Sequence, residues 1–423
     1  MTASLNAPER VVIWTILSTW LGYLVGALYI VGPALGWILA TWVCVAWYVD
    51  RPVFGVRPAL RRLPTGVTVW LVSMALMLVV LWIGHADYDL GVAKTVKSSV
   101  GWAKGWALMA LFIFAGAMLP IARRVVIRAQ SVLGLQTLLL LPLFLAAPMI
   151  GLPEKLYTSP LKIVGGPGPE YFTVYLYTVD PSNGWARWQF FAPWSPFAGL
   201  IGVCMAACAL EERPLFWKLA GVAGGTAMVA LTQSRMALLG LLVCLLAPFA
   251  LRAARIPFMW LIGALGIAGF AFAAAQARTA AGDMIHAFRS ARADSTRVRD
   301  TLQRIALDRW EREAPWFGHG TVQPGAHVTE YMPIGSHHTW FGLLFVKGTA
   351  GLILLAIPML WTLVEACIHT LRSPRGRLAL AITLALLLFS FGENLEVQVY
   401  LLWPYFLLLG IAMREHAEHQ AKP

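Results

Sequence analysis

Long apolar runs alternate with short polar connections along almost the whole chain. A helix that crosses the hydrocarbon core of a bilayer needs about 20 mostly apolar residues, so each run predicts a membrane helix. The chain shows no internal repeat and no separate soluble segment. Residues 1–423 are therefore predicted to form one all-α polytopic membrane domain. The expected spans, about twelve in number, are residues 11–30, 34–49, 67–84, 102–120, 132–150, 195–210, 216–232, 236–251, 257–276, 339–370, 378–393 and 397–413.

The composition agrees with this pattern. Hydrophobic residues make up 59% of the chain and charged residues 13%, and the mean hydropathy is +0.68. Soluble domains have about 45–50% apolar and about 25% charged residues, so a soluble globular protein is excluded. The formal net charge is +12, but the basic residues are dispersed between apolar runs. Membrane lipids, and not nucleic acid, are the expected surroundings.

The basic clusters predict how the chain is threaded. They fall in the even-numbered connections, which the positive-inside rule places in the cytoplasm together with both termini. Two of the opposite connections are long: residues 151–194, and residues 277–338 between the ninth and tenth spans. Long ordered loops between helices are often functional, so we expect the chemistry there. The clusters are Arg51, Arg57, Arg61 and Arg62; Arg123, Arg124 and Arg128; Arg252 and Arg255; and Arg372, Arg375 and Arg377.

Residues 277–338 contain eight arginines and no lysine. Arginine without lysine is typical of bidentate binding to phosphate or carboxylate. Ser295 is a candidate N-cap for an amphipathic helix, which would place Arg297 and Arg299 in its first turn, where helix N–H groups favour anions. The alternative is a solvated helix whose arginines pair with nearby carboxylates. The apolar stripe of the predicted helix consists of Val298, Leu302, Ile305 and Trp310.

Two further arginines are candidates. Residues 151–194 are rich in aromatic side chains, which suit either sugar stacking or a membrane interface, and Arg187 lies among them. Arg235 lies in a turn between two apolar runs on the side where positive charge is disfavoured. It is either an anion site or a side chain that snorkels to the surface.

Histidines concentrate in the second long loop. Five of the nine lie there, and His337 and His338 stand at the start of a predicted membrane helix. A neutral histidine suits general base catalysis, and the pattern leaves open which of the two acts. No third histidine or carboxylate follows at a spacing of four, and the five cysteines lie in apolar runs. We therefore expect no metal site and no disulfide.

These residues together resemble a known family. His337, His338, nine further residues and a Gly-x-x-Gly at Gly348 and Gly351 are similar to a signature of the bacterial O-antigen ligase superfamily. Residues 315–320 resemble its Pro-x-x-Gly-x-Gly element, and residues 234–235 its Ser-Arg element. Arg297 or Arg299 stands where the family carries an arginine. The family usually has Asn, Ser or Gln after the catalytic histidine, and the spacing to Gly348 favours His337 over His338.

The resemblance implies a C-type glycosyltransferase of the bacterial inner membrane, with a large periplasmic catalytic loop between helices 9 and 10. The donor would be O-antigen on undecaprenyl diphosphate, and the acceptor lipid A-core oligosaccharide. The reaction would be inverting, metal-independent and free of cofactors. Histidine would be the general base, and Arg235, Arg187 and Arg297 or Arg299 would bind the diphosphate.

The sequence is compatible with several alternatives. Glu393 and Glu396 would orient His337 or an arginine, or are solvated carboxylates at helix ends. The O-antigen polymerase and the protein O-oligosaccharyltransferase use the same donor; the ligase is favoured because nine mostly polar residues follow Arg414. A flippase or transporter of lipid-linked sugar is the alternative of another class. It would favour charges near the midplane and an internal repeat.

Overall fold

The computed structural model describes residues 5–49, 51–180, 184–261, 264–265, 293–327 and 331–420. These residues form a helical bundle with two small antiparallel strand pairs. The helices, in chain order, are α1 Ala7–Leu17, α2 Thr19–Val25, α3 Leu28–Val49, α4 Thr65–Asp87, α5 Val92–Lys104, α6 Trp106–Met118, α7 Arg123–Met149, α8 Ser195–Leu210, α9 Leu215–Leu231, α10 Arg235–Ala253, α11 Ala293–Glu313, α12 Thr339–Arg372, α13 Gly376–Phe389 and α14 Leu395–Gln420.

The strands lie within the aromatic-rich loop of residues 151–194. Strand β1 (Lys155–Thr158) pairs with β2 (Thr173–Tyr175), and β3 (Thr178–Val179) pairs with β4 (Ala186–Arg187). The prediction of an all-α chain therefore holds for the bundle and not for this loop. Strand pairing provides hydrogen-bond partners for backbone N–H and C=O groups of this loop, which would otherwise have to bind water.

The membrane-protein prediction is confirmed. In the described part of the chain, 7 segments are long and apolar enough to cross a membrane, and three more apolar helices, α8, α9 and α13, are shorter. Most of the ninth predicted span, residues 257–276, lies outside the described residues. The seven are α3, α4, α5 with α6, α7, α10, α12 and α14.

Several predicted spans begin or end at other residues than the observed helices, and two of them are also broken or bent. The first, residues 11–30, is broken at Ser18 and again at Gly26, whose φ is 71°. The fourth, residues 102–120, is the second part of a longer segment that begins at Val92 and bends at Gly105. Glycine is required at the bend because a Cβ on Gly105 would lie 2.7 Å from Glu396 O.

Glycines bring the central helices close together. A Cβ on Gly116 of α6 would lie 2.1 Å from Leu407 O of α14, and one on Gly410 of α14 would lie 2.0 Å from Ile113 O. Small residues at such crossings allow backbones to approach, which is how membrane helices gain packing energy. This contact makes α14, which is almost entirely buried, the centre of the bundle.

The two ends of the bundle differ in chemistry. At one end, arginines pair with carboxylates: Arg123 with Glu211 at 3.2 Å and Arg128 with Glu212 at 2.6 Å. At the other end, the starts of α10 and α12 meet the connection between α13 and α14, residues 390–394. Thr339 N donates to Ser390 O there at 2.9 Å. We call this second end the site end.

Candidate active site

Two glycine-containing segments that the sequence presents separately pack against each other. Gly348 has φ 62° and ψ −164°, which interrupts the hydrogen bonding of α12. Residues 315–320 lie against this kink, and a Cβ on Gly318 would lie 2.3 Å from Lys347 N, so only glycine fits. Four backbone hydrogen bonds join the segments: His319 N to Phe345 O (2.9 Å), Gly320 N to Val346 O (3.0 Å), Thr349 N to Pro315 O (2.9 Å) and Ala350 N to Trp316 O (3.1 Å).

His319 connects the end of α11 to the part of α12 that precedes the kink at Gly348. Its Nε2 lies 2.8 Å from Glu313 Oε2, and its Nδ1 lies 2.9 Å from Phe345 O. Arg309 Nη2 donates to Glu313 Oε2 at 2.7 Å. The hydrogen bonds from Arg309 and then His319 lower the pKa of Glu313 to about 2. These contacts fix the direction in which α11 crosses the site end.

His338 caps the first turn of α12. Its Nδ1 accepts from Phe341 N at 3.3 Å, and its backbone N donates to Asn394 Oδ1 at 2.9 Å. The ring is buried against Phe341, with centroids 4.2 Å apart. Burial lowers the pKa of His338 to about 4. Capping and packing account for this histidine, which favours His337 as the base.

His337 is held in an unusual backbone conformation beside the cap. Its φ is 60°, in the left-handed region that few residues other than glycine adopt. Burial, followed by the positive charge of Arg299, lowers the pKa of His337 to about 4. The imidazole is therefore neutral at pH 7 and able to accept a proton.

Glu393 is a buried carboxylate in the 390–394 connection, with 2% of its surface exposed. Its Oε2 accepts from Trp194 Nε1 at 2.7 Å and from Gln398 Nε2 at 2.8 Å. Its backbone oxygen accepts from Thr339 Oγ1 at 2.6 Å, which joins the connection to α12. Burial raises the pKa of Glu393 to about 7, and the positive charge of Arg299 acts in the opposite direction.

Arg299 is thus close enough to influence both His337 and Glu393 electrostatically. Arg297, two positions away on the same helix, is exposed. Two residues correspond to about 200° around a helix, so the two arginines point to nearly opposite sides. Among the described residues, neither arginine forms an ion pair with a carboxylate, whereas Arg309 and Arg312 do.

The predicted amphipathic helix is confirmed, but its start is not. Helix α11 is assigned from Ala293, so Ser295 lies inside it and Arg297 and Arg299 lie in its second turn. The first turn of the helix therefore does not contain Arg297 or Arg299. The apolar face, with Leu302 and Ala306 fully buried, packs towards α12.

Arg235 is the first residue of α10, and the preceding Ser234 caps that helix by accepting from Ala237 N at 3.3 Å. The next residue, Met236, packs against the 390–394 connection, since a Cβ on Gly392 would lie 3.2 Å from its Cε. The fold therefore brings the start of α10 to the connection that carries Glu393, although the two are far apart in sequence.

Arg187 is tied to the turn that precedes α10. Its Nε and Nη2 both lie 3.3 Å from Thr232 O, and its Nη1 lies 3.5 Å from Asp180 Oδ2. Gln233 Nε2 donates to Ala186 O at 2.9 Å in the same place. These contacts hold the aromatic-rich loop on the turn, and the predicted role of Arg187 at a diphosphate stays a prediction.

The two predicted carboxylates face different surroundings. Arg299 acts electrostatically on Glu393, whereas Glu396 lines a cavity with Lys347 and Asn394. Sequence reasoning missed Lys347 and Asn394. Lys347 carried a signal, because it is the single charged residue in residues 339–364. A charge inside an apolar span is a candidate functional group.

The arrangement suits proton transfer next to a bound anion. Arg299, which forms no carboxylate ion pair within the described residues, acts electrostatically on both the neutral His337 and the buried Glu393. Within the described ranges no group of three or more His, Cys, Asp or Glu side chains is placed to hold a metal ion.

Replacing Glu393 with glutamine is expected to stabilise the protein at pH 8. Burial raises the pKa of this carboxyl from 4.5 to about 7, so the folded state binds its proton more tightly than the unfolded state. Wild-type stability should therefore fall as the pH rises through this range, by about 3 kcal/mol at 1.36 kcal/mol per pKa unit. Glutamine keeps an acceptor for Trp194 and removes the charge. Thermal unfolding at pH 5 and pH 8 measures the effect; a variant less stable than the wild type at pH 8 would contradict it.

A family model described as O-antigen ligase matches residues 220–356. The match runs from α9 through the turn at Arg235 and α11 to the kink of α12, and it confirms the resemblance that the motifs predicted. No curated protein matches the chain.

Proposed function

From this resemblance to the O-antigen ligase family, we propose that the protein transfers O-antigen from undecaprenyl diphosphate to lipid A-core oligosaccharide. The family match indicates a membrane enzyme of the O-antigen ligase or polymerase type. The observation that supports the finer proposal is the electrostatic effect of Arg299 on both His337 and Glu393, because it brings a candidate anion-binding group close to a candidate base.

His337 is the general base in this proposal. The acceptor hydroxyl attacks the anomeric carbon of the donor sugar, and its proton passes to the neutral imidazole of His337. The bond between the anomeric carbon and the diphosphate oxygen breaks on the opposite side, which inverts the configuration. A general base of this kind contributes about 10²- to 10⁴-fold to a rate.

Arg235 and Arg299 stabilise the departing diphosphate. Negative charge on the leaving group grows as the bond breaks, and preorganised guanidinium groups are strong partners for it at a site shielded from water. The ionised fraction of Glu393 attracts Arg299, and within the described residues Arg299 has no carboxylate ion pair that would compete with the diphosphate. Each step of this reaction uses side chains of the chain itself.

The position of the site suits substrates that are lipids. Helix α13 has 14 residues, which span about 21 Å at 1.5 Å per residue, against about 30 Å for a hydrocarbon core. Helix α13, which leads into the 390–394 connection, is therefore shorter than the hydrocarbon core is thick. We place the site end at the periplasmic face of the inner membrane, with both termini in the cytoplasm.

Complementation of a ligase-deficient strain tests the proposal. With a polymerase still present in that strain, the wild-type chain should restore the ladder of long O-antigen bands on a lipopolysaccharide gel, and the His337→Ala variant should not. Rescue of a polymerase-deficient strain instead would identify an O-antigen polymerase. Transfer of the glycan to protein would identify an O-oligosaccharyltransferase, and a block in donor delivery to the periplasm would indicate a flippase.

A further inference from the structure

His319 has an oxygen atom opposite each of its two ring nitrogens. The residue is buried, with 1% of its surface exposed. Its Nδ1 lies 2.9 Å from Phe345 O, and its Nε2 lies 2.8 Å from Glu313 Oε2. A backbone carbonyl only accepts hydrogen bonds, so Nδ1 carries a proton. The charge of the ring therefore depends on whether Nε2 carries a proton as well.

The carboxylate opposite Nε2 is ionised, because Arg309 binds both of its oxygens. Arg309 Nε lies 3.0 Å from Glu313 Oε1 and 2.9 Å from Oε2, and Arg309 Nη2 lies 2.7 Å from Oε2. These bonds are the largest cause of the low pKa of Glu313, about 2. An ionised carboxylate has no proton to donate, so Nε2 is the donor in its contact with Glu313. With a proton on each nitrogen, the ring of His319 is an imidazolium cation.

The groups around the ring suit a cation. The rings of His319 and Phe345 stack with centroids 4.3 Å apart and planes 19° apart, and the centre of the Tyr88 ring lies 5.2 Å away. Aromatic rings attract cations, and the guanidinium of Arg309 lies over the same Phe345 ring at 5.1 Å. Burial raises the pKa of Tyr88, which is therefore neutral. Glu313 is bonded to both cations and offsets part of their charge.

Other ionisable groups of α4 and α12 near this ring have partners of their own. The two ring nitrogens of His85 contact a backbone oxygen of α4 at 2.8 Å and Ser98 Oγ at 2.9 Å. The ammonium group of Lys347 interacts electrostatically with Glu396. Asp87 ends α4 and acts on the tyrosine that follows it. The charge of the imidazole ring therefore depends mainly on the two α11 residues bonded to each other beside it.

The kink at Gly348 makes the contact with α12 possible. In a regular helix, Phe345 O would accept from Thr349 N, four residues further on. Thr349 N donates instead to Pro315 O at 2.9 Å, and Phe345 O accepts from both the backbone N and the Nδ1 of His319. The kink thus provides the oxygen to which the ring is bonded.

The contact between His319 and Glu313 also sets the direction of α11. Glu313 is the last residue of α11 and Arg299 lies 14 residues before it, a distance of about 21 Å at about 1.5 Å per residue. A rotation of α11 by about 10° about its Glu313 end would move Arg299 by about 4 Å. A misplacement of about 1 Å near reacting atoms costs about 10²-fold in rate. The position of Arg299 therefore depends on this contact.

We propose that His319 is a positioning residue whose second proton holds α11, and with it Arg299, in the direction that the reaction requires. While both nitrogens are protonated, the ring donates to α11 and α12 at once. Loss of the Nε2 proton leaves a lone pair facing the ionised carboxylate of Glu313, and the contact becomes repulsive. The contact is therefore strong at low pH and weakens as the pH rises. Its effect on transfer rests on the proposed function, whereas the charge of the ring does not.

Nitrogen-15 NMR of the full-length protein, labelled at histidine, measures the charge of the ring. The two ring nitrogens of an imidazolium have nearly the same chemical shift, whereas those of a neutral imidazole differ widely. The His319→Gln variant identifies the signals by their absence. We expect two nearly equal shifts for His319 at pH 7, and widely separated shifts would overturn the proposal.

Glu313→Gln tests whether the second proton acts on the reaction. The glutamine amide donates to a neutral Nε2, so in this variant the contact does not require that proton. Between pH 6 and pH 9, the transfer rate of the wild type relative to Glu313→Gln should fall by about tenfold. His337 and Glu393 titrate in both proteins, so their effects cancel in this ratio. A ratio that does not change with pH would overturn the proposal.

Asp308→Asn is the matched control. Asp308 is an exposed carboxylate of α11 that pairs with Arg312 at 2.8 Å, so this variant should keep the pH dependence of the wild type. Thermal unfolding identifies a variant that fails to fold. If Glu313→Gln does not fold, His319→Gln takes its place in the ratio, because its amide donates to Glu313 at every pH.

Hydrogen exchange of the α11 amides gives the same comparison without the reaction. Between pH 6 and pH 9, exchange should accelerate about tenfold more in the wild type than in Glu313→Gln, because α11 is released only in the wild type. This result in a chain that transfers no glycan would refute the proposed function and leave the role of His319 in holding α11 intact. Equal acceleration in both proteins would overturn that role.

Discussion

Replacing His337 with alanine is expected to slow glycan transfer by about 10²- to 10⁴-fold, the usual contribution of a general base. The variant should still fold, because no side-chain hydrogen bond of His337 to the described residues is lost. His337 is neutral at pH 7, since burial and the charge of Arg299 lower its pKa to about 4. Transfer rates with purified protein and lipid-linked donor measure the loss, and thermal unfolding confirms the fold.

His338→Asn is the matched control. Asparagine is a good N-cap, so it replaces the acceptor that His338 Nδ1 provides to Phe341 N. We expect most activity to remain in this variant. His338→Ala removes the cap and should lower stability by about 0.5–2 kcal/mol, with a smaller effect on rate than His337→Ala. An inactive His338→Asn together with an active His337→Ala would show that the two histidines have the opposite roles.

Replacing Arg235 or Arg299 with lysine is expected to reduce the transfer rate about 10²- to 10³-fold each, as for the loss of one preorganised donor. Lysine keeps the charge but lacks the planar fork that binds two oxygens at once. If both arginines hold the same diphosphate, the double variant should depart from the product of the two single effects. Transfer rates of the two single variants and the double variant, all measured with the same donor and the same acceptor, quantify this coupling.

Arg297→Lys is the control that the structure offers for this experiment. Arg297 lies two residues from Arg299 on an exposed part of α11. The transfer rate of the Arg297→Lys variant should therefore match that of the wild type. Silent substitutions at Arg235 and Arg299, together with independent effects in the double variant, would remove the basis for a shared diphosphate. A large effect of Arg297→Lys with a silent Arg299→Lys would mean that α11 presents its other face to the substrate.

Several features follow from local sequence alone. Apolar runs predict membrane helices because lipid does not satisfy backbone polar groups, which leaves the helix as the stable form of such a segment. The stripe at Leu302 and its neighbours predicts an amphipathic helix because helical period is a local property. The motifs at Arg235, Gly318 and Gly348 were sufficient to indicate the family, and the match over residues 220–356 agrees.

Choices between neighbouring residues required the folded chain. His337 and His338, Arg297 and Arg299, and Glu393 and Glu396 are pairs of like chemistry one to three positions apart. A composition or a motif does not distinguish their members, because each member's surroundings come from distant segments. Asn394 and Phe341 engage His338, while the direction of α11 brings Arg299 towards His337.

Contacts between distant segments also explain the kink at Gly348 and the cavity lined by Lys347 and Glu396. Gly348 leaves the helical conformation because residues 315–320 supply the hydrogen bonds that its helix gives up. Lys347, Glu396 and Lys104 come from three helices and share one cavity through the packing of α5, α12 and α14. Which helices form is set by local hydropathy and period, whereas which side chains meet depends on helix phase, bends and crossing angles. These arise from packing between segments far apart in the chain.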